Sequence, residues 1–306
     1  MLKINPRISV LMPAYNVEQY VGDAIESILN QTFTDFEFII INDGSTDKTA
    51  SIITKYAKRD KRIKFVNHSK NKGLISVLNE GLDLCSGEYI ARFDSDDISL
   101  SERFEKQVVY MDKHPECGVV SAWPKRFGPN VKQDDIFKYQ PEMKLFDFIF
   151  HGCCISHPCA MIRRSVLVNN NIKYNPKCKY AEDYDFWIEI VRRAEIHNLQ
   201  EVLLLYRWSG ENISVKHAKE QKENFERTKK EQLSKLFGSE YELECFFNAN
   251  RELNESFYLF GFLPVLRRKQ YATEKTKYYL FDKIPLIKES HGNIYLFEFI
   301  KIGVLK

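Results

Sequence analysis

Four short apolar runs, at 8–12, 36–41, 63–66 and 89–93, alternate with three segments whose apolar residues recur at helical spacing. The first helical segment carries Val21, Ala24, Ile25, Ile28 and Leu29 behind Asn16 as its expected cap, and the third carries Leu74, Val77, Leu78 and Leu82. Strict βαβαβαβ order predicts a parallel sheet covered by helices. The continuous apolar run at 36–41 reads as a strand buried on both faces. Sheets of this kind bind ligands at the carboxyl ends of their strands. Polar clusters at 13–16, 42–47, 67–73 and 94–97 all fall at those ends. No GxGxxG follows the first run, so a dinucleotide site of the usual kind is not expected.

Downstream, the pattern predicts a helix over 101–113 stopped by Pro115, a strand over 118–123, and a polar loop over 130–141. A turn at 156–160 feeds a further strand, a helix opens near 180–187, and a last strand over 202–206 ends at Arg207. The 306 residues suffice for one large domain with an extension. A net charge of +3 gives no basis for nucleic-acid binding as the main activity. Seven cysteines, an odd number without a CxxC pair, read as reduced thiols of a cytosolic protein. Neither a signal peptide nor a bilayer-spanning run is legible.

Two acidic clusters carry the chemistry. Asp94-Ser95-Asp96-Asp97 places three carboxylates within four residues at the end of the fourth strand. Such a cluster needs a cation, and oxygen-only ligands suit Mn²⁺ or Mg²⁺, which in turn can hold a diphosphate. A solvated Asp/Ser turn is the other reading. Glu182, Asp183 and Asp185 open a helix, where the dipole favours carboxylates. Capping accounts for one of them more readily than for all three, and carboxylates gather at active sites. A sugar hydroxyl needs a positioned base before it attacks, and a departing nucleoside diphosphate needs its charge neutralised. One cluster can serve each task.

The ordered set Val10-Leu11-Met12-Pro13-Ala14-Tyr15-Asn16, Asn42-Asp43-Gly44-Ser45-Thr46-Asp47, Asn71-Lys72-Gly73, Gly87-Glu88-Tyr89-Ile90-Ala91, Asp94-Ser95-Asp96-Asp97 and Glu182-Asp183 resembles the family 2 inverting glycosyltransferases of GT-A fold, of the bacterial surface-glycan type. The resemblance covers about residues 6–215. It implies an α/β fold with a mostly parallel central sheet and a metal-dependent transfer of a hexose or N-acetylhexosamine from a UDP-sugar. The acceptor would be a hydroxyl of a growing lipopolysaccharide, O-antigen or capsule glycan, free or lipid-linked, and the linkage β. By position, Pro13, Ala14, Tyr15 and Glu18 would line the nucleotide pocket, Asp43 would bond uracil, and Asn71 would sit beside the base. Gly73, Arg92 and Ser95 complete the donor site. Asp94 and Asp96 would form the DXD pair on the metal, Asp183 would be the base, Glu182 would orient the acceptor, and Arg207 would meet the diphosphate. His157 reads either as an acceptor-side residue or as a turn histidine before Pro158.

The chain departs from the family pattern where relatives carry Arg at the Leu78 position and His at the Ser209 position. Arg92, Lys72 or His217 are the expected substitutes. Implied domains are 1–215, with a nucleotide half to about 100 and an acceptor half after it, and a helical extension over 216–306. That extension opens with a charged helix over 216–237. It then repeats a basic-aromatic motif, starting at Tyr258, again at Tyr279, and in degenerate form at Tyr295. From Ser256 onward nine Lys and Arg stand against four Asp and Glu. The tail reads as a contact with an anionic membrane, placing the protein peripherally at the inner face of the cell membrane, or as a small aromatic core or homodimer contact. A sugar nucleotidyltransferase, or a binding module of this fold without catalysis, are the alternative functions.

Overall fold

The computed structural model describes residues 5–129, 131–209 and 212–237, together with strands between 258 and 304. It divides into two units, Met1–Thr228 and Lys229–Lys306. The first half of the first unit alternates as its pattern predicts. In order come β1 (Ile8–Ala14), α1 (Val21–Leu29), β2 (Phe36–Asn42), α2 (Thr49–Arg59), β3 (Ile63–Asn67), α3 (Leu74–Leu84) and β4 (Tyr89–Arg92). The second half adds β5 (Ile98–Ser99), α4 (Arg103–Lys113), β6 (Cys117–Phe127), β7 (Glu142–Met143), α5 (Leu145–His151) and β8 (Met161–Arg163). It continues with α6 (Arg164–Asn170), α7 (Glu182–Val191), β9 (Glu195–Arg207), α8 (Ile213–Lys216) and the start of α9 (Ala218–Phe237).

One mixed sheet runs β3-β2-β1-β4-β8-β6-β9-β5, with β7 paired to β9. Strands β3, β2, β1, β4, β6 and β9 point one way, and β8, β5 and β7 the other. The strands bury both faces. Val10 and Met12 of β1 enter the core under α1, α2 and α4, while Leu11 enters the core under α3 and α7. α3 lies so close that a Cβ on Gly81 would fall 2.1 Å from Leu11 Cδ1.

Strand β1 continues through Pro13, two residues beyond the expected stop at Met12. Its odd residues face β4, as the Tyr89 N–H to Arg7 and Phe93 N–H to Leu11 carbonyl bonds show, and its even residues face β2. The N–H that Pro13 lacks therefore points where β4 has already ended, so no ladder bond is lost. The strand order reverses between β1 and β4, the place where sheets of this kind bind ligands.

In the second unit β10 (Tyr258–Leu259) pairs antiparallel with β11 (Leu263–Pro264). An antiparallel sheet follows in chain order: β12 (Arg267–Gln270), β13 (Thr276–Leu280), β14 (Ile284–Ser290), β15 (Asn293–Leu296) and β16 (Ile300–Val304). The extension is thus helical in α9, as expected, and strand-forming rather than helical from Tyr258 on. Runs such as Thr276-Lys277-Tyr278-Tyr279 and Ile284-Pro285-Leu286-Ile287 are rich in the aromatic and β-branched residues that favour strands. The repeated motif and the expected membrane contact depend on side chains outside the described residues. Among the described residues no helix is long and apolar enough to cross a membrane.

Candidate active site

The four polar clusters meet at one sheet edge. After β1, Asn16 adopts φ 51°, a left-handed conformation that its short polar side chain tolerates. Its N–H donates to Ser45 Oγ, and its Oδ1 accepts the Thr46 N–H, both at 2.9 Å. Asn16 therefore ties the β1 loop to the β2 loop instead of capping α1, which begins at Val21. Glu18 completes the tie: its carboxylate accepts the Lys48 N–H at 2.8 Å, and its own N–H donates to Asp47 at 3.0 Å. Pro13 and Ala14 are buried at the end of β1, whereas Tyr15 stands 47% exposed on the rim.

Buried Asp43 accepts the Lys72 N–H at 2.7 Å and the Gly73 N–H at 3.0 Å, one on each oxygen. It so orders the turn carrying exposed Asn71. Gly73 sits at φ 89° with nothing within 4 Å of where a Cβ would be, so the turn borders open space. Gly44 differs: at φ 68°, a Cβ would meet the Lys70 carbonyl carbon at 2.4 Å. Gly44→Ala should cost about 2 kcal/mol in strain and loop separation, a Tm drop of roughly 4–8 °C for a domain of this size. Thermal unfolding checks this, and an unchanged Tm contradicts the close approach of the two loops.

At the end of β4, Asp94, Asp96 and Asp97 bring ligand oxygens within 4.8 Å of one another. Asp97 is fully buried; its Oδ1 accepts the Arg207 N–H at 2.8 Å, while its Oδ2 has no hydrogen-bond partner among the described residues. Burial and the charge of Asp94 push Asp96 up to about 6. Burial and both neighbours push Asp97 well above the usual carboxylate range. An orphaned buried oxygen beside two further carboxylates fits a hard divalent cation. The expected DXD pair thus gains a third candidate ligand, Asp97, which lay inside the sequence cluster without an assigned role. Ser95 is buried between them. Arg207 closes this end: its Nε donates to the Asp96 carbonyl at 2.7 Å, and its guanidinium lies between the Tyr20 and Phe127 rings at 4.4 and 4.5 Å.

Glu182 and Asp183 form the first turn of α7. Burial, then the charge of Asp183, pushes Glu182 up to about 7. Burial also raises Asp183, against the opposing bonds from the Tyr184 N–H at 2.7 Å and the Cys153 thiol at 3.5 Å. Those donors favour the Asp183 anion. Arg92, buried and ion-paired with Asp94, links the two clusters. Its charge favours ionisation of Asp96, Asp97, Glu182 and Asp183 alike. It acts as their shared counter-ion. His157 donates or accepts at Tyr174 OH (2.8 Å) and lies edge-on to Trp187; burial and Arg92 keep it neutral.

A cavity of about 310 Å³ opens beside Asp183 and is lined also by Cys153, Tyr180, Gln221, Lys222 and Phe225. These five carried no role in the sequence reading. Phe225 lies within the stretch 216–237 that the sequence marks as a charged helix.

A model described as Glycosyl transferase family 2 matches residues 9–169. An uncharacterised glycosyltransferase of Haemophilus influenzae is 36% identical over 248 residues, 75% of this chain and 74% of the relative. The chain belongs to glycosyl transferase family 2. The O-antigen biosynthesis glycosyltransferase WbnJ of Escherichia coli is 34% identical over 213 residues, covering 67% of this chain and 81% of WbnJ. Among solved structures, S. aureus TarS 1-349 in complex with UDP-GlcNAc matches with a TM-score of 0.62 at 25% identity, over 74% of this chain and 66% of that one. The chain thus spans about two thirds of that TarS fragment, and its first unit has the GT-A fold. Membership sets the nucleotidyltransferase alternative aside. Within this glycosyltransferase the family's Arg position is occupied by Leu78, fully buried in the core under α3. Of the expected substitutes, Arg92 is engaged by Asp94, Lys72 Nζ lies 3.5 Å from Glu80, and His217 stacks on Tyr180.

Proposed function

We propose that this glycosyltransferase is inverting and metal-dependent, and that it moves a hexose or N-acetylhexosamine from a UDP-sugar to a hydroxyl of a growing lipopolysaccharide, O-antigen or capsule glycan. The supporting observation is the pair of acidic clusters, Asp94–Asp96–Asp97 and Glu182–Asp183, flanking one buried cation, Arg92. UDP and UDP-GlcNAc in the TarS complexes support the donor class, and WbnJ supports the class of glycan.

On this reading the uracil and ribose lie against Tyr15, Asp43 and Asn71, and the diphosphate reaches Asp94 and Asp96. Asp94, Asp96 and Asp97 hold Mn²⁺ or Mg²⁺, which when bound neutralises the charge growing on the leaving UDP. Asp183 takes the proton of the acceptor hydroxyl as its oxygen attacks the anomeric carbon. The bond from that carbon to the β-phosphate oxygen breaks, and its electron pair leaves with UDP. Attack opposite the leaving group converts an α-linked donor into a β-glycoside. Glu182, part-protonated near neutral pH, can donate to a second acceptor oxygen.

Release of the nucleoside diphosphate from a panel of UDP-, GDP- and dTDP-sugars, with Mn²⁺ and with EDTA, tests the proposal. Release from a UDP-sugar in Mn²⁺ alone is expected. A preference for another nucleotide refutes the donor assignment, undiminished release in EDTA refutes the metal requirement, and no release from any donor favours a non-catalytic module.

A further inference from the structure

The cavity beside Asp183 is built in part by α9, a helix that the sequence marks only as charged. Ala218, Gln221, Lys222 and Phe225 of α9 line it. The helix is tied to the loop before α7 by side-chain bonds to backbone carbonyls: Gln221 to Tyr180 at 3.3 Å, Asn224 to Lys179 at 2.9 Å, and Arg227 to Lys177 at 2.6 Å. Phe225 packs at 4.5 Å on the Tyr184 ring, and Tyr180 stacks at 4.6 Å on His217. Tyr180 holds φ 62°, a conformation uncommon for an aromatic residue and often kept at working sites. Aromatic walls suit the C–H faces of a pyranose, and the volume, about 310 Å³, lies at the small end of ligand pockets. It admits the terminal residue of a chain.

The charges around the cavity are uneven. Lys179 and His217 each lie 3.7 Å from Glu220. Lys222 lines the cavity and makes no hydrogen bond or ion pair among the described residues. The Lys222 side chain is exposed to solvent, and an anionic group entering the cavity would exchange that hydration for a charge-assisted bond.

We propose that this cavity is the acceptor subsite and that it takes an acidic pyranose, a uronate or a sugar phosphate, with the attacking hydroxyl at Asp183 and the anionic group at Lys222. The assignment rests on the transferase reading above. It is tested with the full chain, UDP and Mn²⁺, by ligand-observed NMR titration of methyl β-D-glucuronide, methyl β-D-glucoside 6-phosphate and methyl β-D-glucoside. At least one acidic ligand should bind about tenfold more tightly than the neutral one, the scale of one hydrogen bond to a charged group. Which acid is preferred distinguishes carboxylate from phosphate. Lys222→Gln should erase the preference and leave the UDP affinity and Tm unchanged. Equal binding of all three, binding of none, or a preference that survives Lys222→Gln overturns the assignment. UDP titrated alone separates the two claims: if UDP binds and the acids show no preference, only the acceptor assignment falls. Failure to bind UDP sinks the transferase reading and this assignment together.

Discussion

Asp183→Asn should bind UDP as tightly as the parent protein and transfer sugar about 10²–10⁴-fold more slowly, the usual contribution of a general base. Asparagine keeps the shape and can still accept the Tyr184 N–H now bonded at 2.7 Å. What it loses is the capacity to take a proton. The fold is therefore preserved, and the loss falls on turnover. Calorimetric titration of UDP and single-turnover transfer check the two halves separately. Turnover within threefold of the parent removes Asp183 from the base role. A second readout comes from Glu182, whose carboxyl is raised first by burial and then by the Asp183 charge. In the Asn variant Glu182 should titrate lower, which carboxyl NMR can follow. An unchanged Glu182 titration argues that the two side chains do not interact.

In the metal-free protein the two acidic clusters should contribute less stability as pH rises from about 4 to 7, with the opposite sign to the buried neutral His157, and Mn²⁺ should restore most of the loss at its own cluster. Asp96 is raised from 3.8 to about 6 and Glu182 from 4.5 to about 7, with Asp97 and Asp183 also raised. A carboxyl that holds its proton more tightly when folded than when unfolded makes folding release stability as pH increases through that interval. The penalty begins near the unfolded value and is complete above the folded one. For Asp96 alone it is on the order of 2–3 kcal/mol. A cation bound to the ionised cluster favours the folded state and opposes that penalty. Thermal unfolding at pH 4.5, 6 and 7.5, with and without Mn²⁺, measures it. The metal-induced rise in Tm should be largest at pH 7.5 and small at pH 4.5. A pH-independent rise, or none, contradicts a cation held by these carboxylates.

Local pattern made the nucleotide half readable. The apolar runs of β1, β2 and β3 and the helical spacing of α1 and α3 each report burial within one element, and burial repeats with that element's own period. The second half was readable less far. Strand β9 runs from Glu195, well before the expected 202, because its early residues are held by pairing with β6 and not by their own propensity. In the second unit strand propensity was present in runs such as Thr276-Lys277-Tyr278-Tyr279, and the antiparallel order of β12 to β16 is a property of their pairing.

The chain's own order of residues determined the doubly covered sheet, the edge where its polar clusters meet, the DXD carboxylates and the Glu182–Asp183 pair, because each of these is written in a short contiguous stretch. The tertiary structure alone decided how they work together. Arg92 becomes the shared counter-ion of two clusters about ninety residues apart in the chain, Asp97 becomes a candidate ligand through the oxygen its burial leaves bare, and α9 becomes a wall of the cavity at Asp183. Those roles arise from proximity between distant segments, and charge acts through space where periodicity acts only along the chain.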